Sequence, residues 1–345
     1  MKNLEQLTKN QGIGLTIAYI LGTTILGARK IGSYSLLSLC FAFIVFVPLI
    51  FLYSNILKNK KGNGFDIIFN ALNPNLAKFI SLILALYSVL CAVFTLRNYT
   101  EVLSVTSMPN TPLWFMGLFI ILTACYLAKK GIKTVSKMSV VFVILGILFL
   151  ITTLLLSGFD FTFDLKHSLP QAKSIVNASL LFYNPFCDCI LLLFAIDNIE
   201  SKKRILPFSF ISSFCILLLI TLRNLLLLGQ KVYSICLVPS YIATSMLSFF
   251  GIIGHLEIIE SVISLLFVLI KLAVCLIVIK NFIKRVKKTE NFLYLSAFAI
   301  DFFSSANLGN VDNLTALNRY YTLVTIPLQI LPIFLLIFTK KQLKR

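Results

Sequence analysis

Lys271 stands alone in a long apolar stretch, with ten uncharged residues before it and eight after. An ammonium so far from either end of an apolar helix is too central to snorkel easily, so it needs a partner. Asp188 and Glu260 are the candidate carboxylates. Alternatively, Lys271 places a fixed positive charge where a sodium-coupled transporter would hold its ion. Arg97 and Glu101 are four residues apart, the spacing that lets two side chains pair along one helix face. That pair reads equally well as a snorkelling structural contact or as a functional one. Arg223, near the end of another apolar run, reads as interfacial. With Glu257, these residues make up the set of intramembrane charges, Arg97, Glu101, Arg223, Glu257 and Lys271, whose role is coupling or structural.

Two interrupted apolar segments supply the polar groups of a candidate ligand site. The first reads Tyr19-Ile-Leu-Gly22-Thr23-Thr24-Ile-Leu-Gly27, and the second Phe182-Tyr183-Asn184-Pro185-Phe186-Cys187-Asp188. Pro185 removes a backbone donor and clashes with the preceding turn, so a helix there kinks or unwinds. Unwound backbone at membrane depth survives only where it lines a cavity or is buried in protein. Its free N–H groups and carbonyls suit the carboxylate and ammonium of a small zwitterion such as an amino acid. The expected ligand-binding set is therefore Tyr19, Gly22, Thr23, Thr24, Tyr183, Asn184, Pro185, Phe186 and Asp188. The competing reading is structural, with Pro185 kinking a packed helix and Gly22 and Gly27 serving as close-packing positions.

Other chemistry finds little support. His167 and His255 are the only histidines, too few for a structural zinc site beside the eight cysteines. Seven of those cysteines fall in apolar runs and read as small apolar residues. No phosphate loop, dinucleotide fingerprint or H-E-x-x-H is present. Neither a catalytic centre nor a metal or cofactor site is expected.

The elements that must position these residues follow from composition. Apolar residues make up 58% of the 345, charged residues 13%, and the mean hydropathy is +0.94. That excludes a water-soluble fold, a disordered chain and a collagen-like one. Runs long enough to cross a hydrocarbon layer of roughly 30 Å occur at 12–27, 36–57, 79–96, 112–128, 138–159, 174–196, 205–222, 261–279, 292–308 and 322–339. The expected fold is an all-α polytopic membrane protein of about ten transmembrane helices, in a 5+5 inverted repeat with helices 1 and 6 broken. The repeats cover about 10–160 and about 170–340 of a single integral membrane domain spanning 1–345. Inverted repeats with interrupted helices at matching places point to a mid-membrane binding site. Residues 237–254, rich in Ser, Thr and Gly, read as interfacial or re-entrant rather than as an eleventh span.

The formal charge of +18 raises nucleic acid as a partner, but its distribution argues for topology instead. With the N-terminus inside, twenty-two of the thirty-one Lys and Arg fall in cytoplasmic segments and six in outer ones. That asymmetry is the positive-inside pattern. Both termini are expected in the cytoplasm, no cleavable signal peptide is evident, and the partner of the basic segments is membrane lipid, not nucleic acid.

Several stretches then resemble the B-subunit family of bacterial spore germinant receptors, the spore germination permeases. Arg97-Asn-Tyr-Thr-Glu101 runs into Met108-Pro-Asn-Thr-Pro-Leu-Trp114, similar to that family's charged end of helix 3 and its "PNTPLW"-like turn. Ala128-Lys-Lys-Gly131-Ile-Lys133 resembles its basic turn with glycine after helix 4, and Asn184-Pro-Phe-Cys-Asp188 its "FPFGE"-like segment. Arg223 to Gly229 resembles the end of its helix 7, and Pro239-Ser-Tyr241 with His255-Leu-Glu257 its "P-x-Y … R-L-E" stretch. The matches run from about residue 8 to 280. The departures are Cys187-Asp188 where Gly-Glu is usual, and His255 where Arg is usual. The resemblance implies the amino acid–polyamine–organocation (APC) superfamily fold and a place in the spore inner membrane. It also implies sensing of a small-molecule germinant, typically an amino acid, beside A and C subunits. An amino-acid transporter, proton- or sodium-coupled, and a solute channel remain alternatives on the same scaffold.

Overall fold

The computed structural model describes residues 6–27, 35–58, 64–157, 186–196, 198–199, 202–236, 238–247, 255–286, 292–306, 321, 325 and 327–329. Among these, α1 (Lys9–Gly27) opens on a capping box. The Gln11 N–H donates to Thr8 Oγ1 at 3.4 Å, and the Thr8 N–H to Gln11 Oε1 at 3.2 Å. Two otherwise orphaned donors are satisfied reciprocally. Gln6–Leu7 (β1) pairs in parallel with Asn198–Ile199 (β2), the one departure from an all-helical architecture among the described residues.

After α2 (Ser35–Lys58) and the short α3 (Gly64–Ala71), Pro74 stands at the first helical position of α4 (Pro74–Thr106). Its missing N–H costs nothing there, and its fixed φ suits the helix. The helix ends as Ser107 and Met108 N–H groups fold back onto Leu103 O, and the Thr111 N–H returns to Met108 O at 3.2 Å. Pro109 thus occupies the second position of a β-turn, where its φ is pre-set, and Pro112 caps α5 (Leu113–Lys130). The Pro-Asn-Thr-Pro sequence is therefore a turn between two antiparallel helices. Gly131, at φ +99° and ψ 168°, separates α5 from α6 (Ile132–Ser157).

A 3-10 turn, Asp188–Leu191, leads into α7 (Leu192–Ala195). Then come α8 (Lys202–Ile235), α9 (Pro239–Ser245), α10 (Leu256–Val286) and α11 (Phe292–Ser305). Within α8 the helical path breaks at Gly229, whose φ is +67° and ψ 166°. Among the described residues six helices are long and apolar enough to cross a membrane: α2, α4, α5, α6, α8 and α10. α11 is apolar but only 14 residues long. The sixth expected span is described only from residue 186, and the tenth only at isolated positions, so the complete ten-helix repeat lies outside the described residues. At seven residues α9 is too short to cross, about 10 Å at 1.5 Å per residue. That agrees with a re-entrant or interfacial reading of its segment as far as residue 247.

One expectation is corrected. Helix 1 is not broken at Gly22, since α1 runs as continuous helix from Lys9 to Gly27. In an apolar setting a helix keeps its internal hydrogen bonds unless other groups replace them. What Gly22 provides is proximity: a Cβ there would lie 2.7 Å from Phe267 O and 2.9 Å from Lys271 Cβ. The close-packing reading of this glycine is the correct one.

α10 is the central post, packed against α1, α4, α5 and α6, with its middle buried. Basic residues gather where α5 ends and α11 begins. Lys280 Nζ donates to the carbonyls of Ala128 and Lys129, both at 3.1 Å, and Lys129 Nζ to Tyr294 OH at 2.6 Å. Lys280 thereby satisfies carbonyls that the end of α5 leaves open. Nearby, Arg285 pairs with Asp66.

Gly131 and Gly229 occupy a backbone region essentially closed to side chains, while a Cβ at either would meet no atom within 4 Å. Gly131→Ala and Gly229→Ala should therefore each destabilise the protein by about 1–3 kcal/mol through backbone strain alone. Thermal unfolding of the purified variants in nanodiscs measures this, and an unchanged midpoint would contradict it.

Candidate functional site

Burying an ammonium demands a counter-charge, and the fold supplies one across the chain. Lys271 Nζ, fully buried near the middle of α10, donates to Asp188 Oδ2 at 2.5 Å and also to Thr23 Oγ1. It stands 5.3 Å from the centre of the Tyr19 ring, within reach of a cation–π contact. Asp188 sits at the start of the 3-10 turn, where the irregular backbone aims its carboxylate inward. Asp188 Oδ1 accepts from Tyr87 OH at 2.8 Å, from Tyr321 OH at 2.6 Å and from the Cys187 thiol at 3.4 Å. The Tyr19 hydroxyl donates to the Asp188 carbonyl at 3.1 Å.

Five separate segments thus meet at one carboxylate–ammonium pair: the 3-10 turn through Asp188, α10 through Lys271, α1 through Tyr19 and Thr23, α4 through Tyr87, and the chain at Tyr321. A buried pair gains enough to offset desolvation only when its remaining lone pairs and protons are also bonded. Two phenols and a threonine do that here. The arrangement offers a fixed cation, a fixed anion and four hydroxyl groups within one enclosed cluster, which is the complement of a small zwitterion. Among the described residues no cluster of His, Cys, Asp and Glu is placed to hold a metal.

Of the expected ligand-binding residues, Tyr19, Thr23 and Asp188 meet in this cluster, and Gly22 lets α1 approach α10 closely enough for Thr23 to reach Lys271. Phe186 does not join it. Its ring packs among Phe43, Phe46 and Phe210, with centroids 6.5, 6.1 and 4.9 Å away. Tyr183, Asn184 and Pro185, and with them the expected break of helix 6, lie outside the described residues, as does the side chain of Thr24. Tyr87 and Tyr321 join the cluster without being among the expected residues. The available signal was a lone phenol within or beside an apolar span, because a buried Tyr hydroxyl seeks a partner.

The other expected charges fall into separate places. Arg97 Nε and Glu101 Oε2 are 3.6 Å apart, and Arg97 also donates to Ser304 O at 3.1 Å, joining α4 to α11. Glu257, in the first turn of α10, is 2.9 Å from His255 Nδ1 and lies at the favourable end of the helix dipole. Arg223 is corrected from interfacial to buried. Its guanidinium grips Asn224 Oδ1 through Nε and Nη2, at 3.1 and 2.9 Å. Nη1 reaches Thr153 Oγ1 at 3.1 Å and Glu260 Oε2 at 3.4 Å. Glu260 therefore serves Arg223, which leaves Asp188 as the carboxylate of Lys271. Interior partners hold Arg223 because a guanidinium can satisfy several acceptors at once in a fixed fork.

Comparison with known sequences is decisive at this point. The sequence profile described as spore germination protein, of the spore-permease type, matches residues 6–308. The chain belongs to the spore germination permease family. A stretch of 99 residues is 22% identical to YfkT of Bacillus subtilis (strain 168), whose name refers to spore germination; it covers 29% of this chain and 28% of that protein. Among solved structures, Mhp1, a nucleobase-cation-symport-1 family transporter in a closed conformation with bromovinylhydantoin bound, superposes with a TM-score of 0.62. The superposition covers 91% of this chain and 75% of that one at 12% identity, a likeness of fold alone. An Eremococcus coleocola manganese transporter reaches only 0.47.

In this spore permease the central pair makes a sharp stability prediction. Asp188→Asn leaves the Lys271 ammonium buried without its counter-charge and should cost about 3–5 kcal/mol. The double variant Asp188→Asn with Lys271→Met should recover most of that loss. Expression level and unfolding midpoint in nanodiscs read both outcomes, and a double variant no better than the single one would show that the charges are not the issue.

Proposed function

We propose that this chain is the germinant-sensing membrane subunit of a spore germinant receptor. A small polar germinant, with an amino acid the leading class, binds at mid-membrane between α1 and the segment at Asp188. Its binding is passed to A and C partner subunits to trigger germination. The observation that carries this reading is the buried Asp188–Lys271 pair capped by Thr23 and Tyr19. An incoming zwitterion exchanges one internal ion pair for two, its carboxylate taking Lys271 and its ammonium taking Asp188. The exchange conserves charge inside the membrane, so it demands no proton or ion from outside. Drawing Lys271 away from Asp188 and Thr23 frees α10 from the Asp188 turn and from α1, the kind of two-state packing change that a ligand biases by its differential affinity.

The family assignment supports the germination role. The gathering of basic residues at one end of the bundle supports cytoplasmic termini, and the family assignment supports a multi-pass place in the spore inner membrane.

The transporter-like fold supports a second reading, an amino-acid permease. Mhp1 is by name a cation symporter, but here Lys271 supplies a resident cation between α1 and α10. That weighs against sodium coupling and leaves Asp188 as a carrier for a coupled proton.

Two measurements separate and test these readings. Thr23→Val removes a hydroxyl from the ammonium, a contact worth about 1.5–3 kcal/mol. It should shift the germinant concentration for half-maximal spore germination by about tenfold or more, as should Asp188→Glu. Unchanged dose–response curves for both, at normal protein levels, would overturn the site. In liposomes the purified protein should show saturable binding of labelled amino acid without gradient-driven accumulation, whereas sustained accumulation would establish the permease instead.

A further inference from the structure

A cavity of about 40 Å³ opens between α1, α6, α8 and α10, apart from the Asp188–Lys271 cluster. Neither Asp188 nor Lys271 lines it. Its apolar walls include Leu21, Ile216, Ile220, Ile263 and Phe267, and one end is formed by Arg223 and Glu260. Space for a single water needs roughly 10–15 Å³ on this scale, so the cavity takes a branched hydrocarbon group of a few carbons.

We propose that this cavity is a second ligand site, specific for an α-amino acid with an apolar side chain. The polar end selects the charge pattern. Arg223 is 1% exposed, and its hydrogen bonds to Asn224, Thr153 and Glu260 use four of its five N–H groups. One N–H remains for a carboxylate. Glu260 meets Arg223 only through Oε2, at 3.4 Å, and Oε1 carries no hydrogen bond among the described residues, which leaves it open to an ammonium. A simple carboxylate, such as a fatty acid, would meet Arg223 but be repelled by Glu260. A simple amine would meet the reverse. A group carrying both charges on one carbon satisfies each, and its side chain then points along Ile220, Ile263 and Phe267.

Position follows from the same helices. Asn224 Nδ2 donates to Ser240 Oγ at 2.8 Å, so the polar end is also tied to α9. Leu21 adjoins Gly22, and Phe267 presents to Gly22 the carbonyl that fixes the spacing of α1 and α10. This site stands whether or not the Asp188–Lys271 cluster binds germinant.

The test is equilibrium binding of labelled L-leucine to the full-length protein in nanodiscs, using only folded, monodisperse variants. Wild type should bind saturably. Glu260→Gln, which removes the ammonium's partner, and Ile220→Phe, which fills the cavity, should each weaken binding by about tenfold or more. The single-charge analogues 4-methylpentanoate and 3-methylbutylamine should displace leucine only at concentrations at least about tenfold higher than unlabelled leucine. The proposal is overturned if wild type shows no saturable binding at concentrations up to about 10 mM, where even weak specific sites begin to fill. It is overturned equally if Ile220→Phe and Glu260→Gln bind as wild type does, or if either analogue competes as well as leucine. Binding lost in Asp188→Asn but kept in both cavity variants would assign leucine to the central cluster and overturn this second site while leaving the proposed function standing.

Discussion

Lys271 is fully buried near the midpoint of a 31-residue helix, and an unpaired charge at that depth costs several kcal/mol even after relaxation. Everything around it answers that cost. Asp188 has to arrive at the same depth from a distant part of the sequence, carried on a 3-10 turn rather than on regular helix. Once there, its second oxygen has to be satisfied as well, which fixes the positions of Tyr87 on α4 and of Tyr321. Thr23 takes another of the ammonium's protons, and the face of Tyr19 covers its side. A hydrophobic residue at 271 would remove the need for all of these polar groups, and replacing buried ion pairs by apolar residues is often neutral or stabilising. So demanding an arrangement, at the meeting point of five segments, is one that apolar packing alone would not require.

The remaining polar interior obeys the same constraint at a second place. Arg223 is buried towards the end of α8, and its partners come from α6, α10 and its own neighbour Asn224, which in turn holds α9. Arg97 binds α4 to α11 through Ser304 O. In a hydrocarbon environment helices gain little from burying apolar side chains against each other, so close packing and such polar ties decide how they associate. Gly22 illustrates the packing side. Without a Cβ, α1 lies against the Phe267 carbonyl, and the separation of α1 from α10 is set by backbone contact.

Much of this was legible in the residues themselves. An isolated Lys in an apolar run must have a carboxylate partner, and Asp188 was one of two available; the i, i+4 spacing of Arg97 and Glu101 gave their pairing directly. The Pro-Asn-Thr-Pro turn and Gly131, which lie between helices, and Gly229, which breaks α8, fall in stretches that the family resemblance picked out. What was not legible depends on which surfaces meet. Arg223 looked interfacial because its position along the helix was apparent and its neighbours were not. Gly22 looked like a helix breaker because a glycine that unwinds a helix and one that lets another helix approach are the same residue in the sequence. Tyr87 and Tyr321 could have been suspected from their hydroxyls, but only the packing says that both serve Asp188. Phe186, beside the expected break, drew attention by its position, yet its ring belongs to an aromatic cluster with α2 and α8.

Two of the buried cations meet on one helix, since Lys271 lies on α10 and Arg223 bonds Glu260 of the same helix. Glu260 and Lys271 both lie on α10, eleven positions apart, which is about 16 Å along the axis. Leu21, Gly22 and Thr23 are consecutive on α1 and face, in turn, the cavity, the Phe267 carbonyl and the Lys271 ammonium. Sliding or tilting α1 against α10 therefore cannot disturb one of these contacts without the others. A packed interface of this kind resists small continuous deformation and yields by passing to a second arrangement. The contact with the largest electrostatic stake at this interface is the grip of Lys271 on Thr23 and Asp188. Loosening that grip would leave the Gly22–Phe267 backbone contact as a remaining tie between α1 and α10, beside the cavity that Leu21 and Phe267 line.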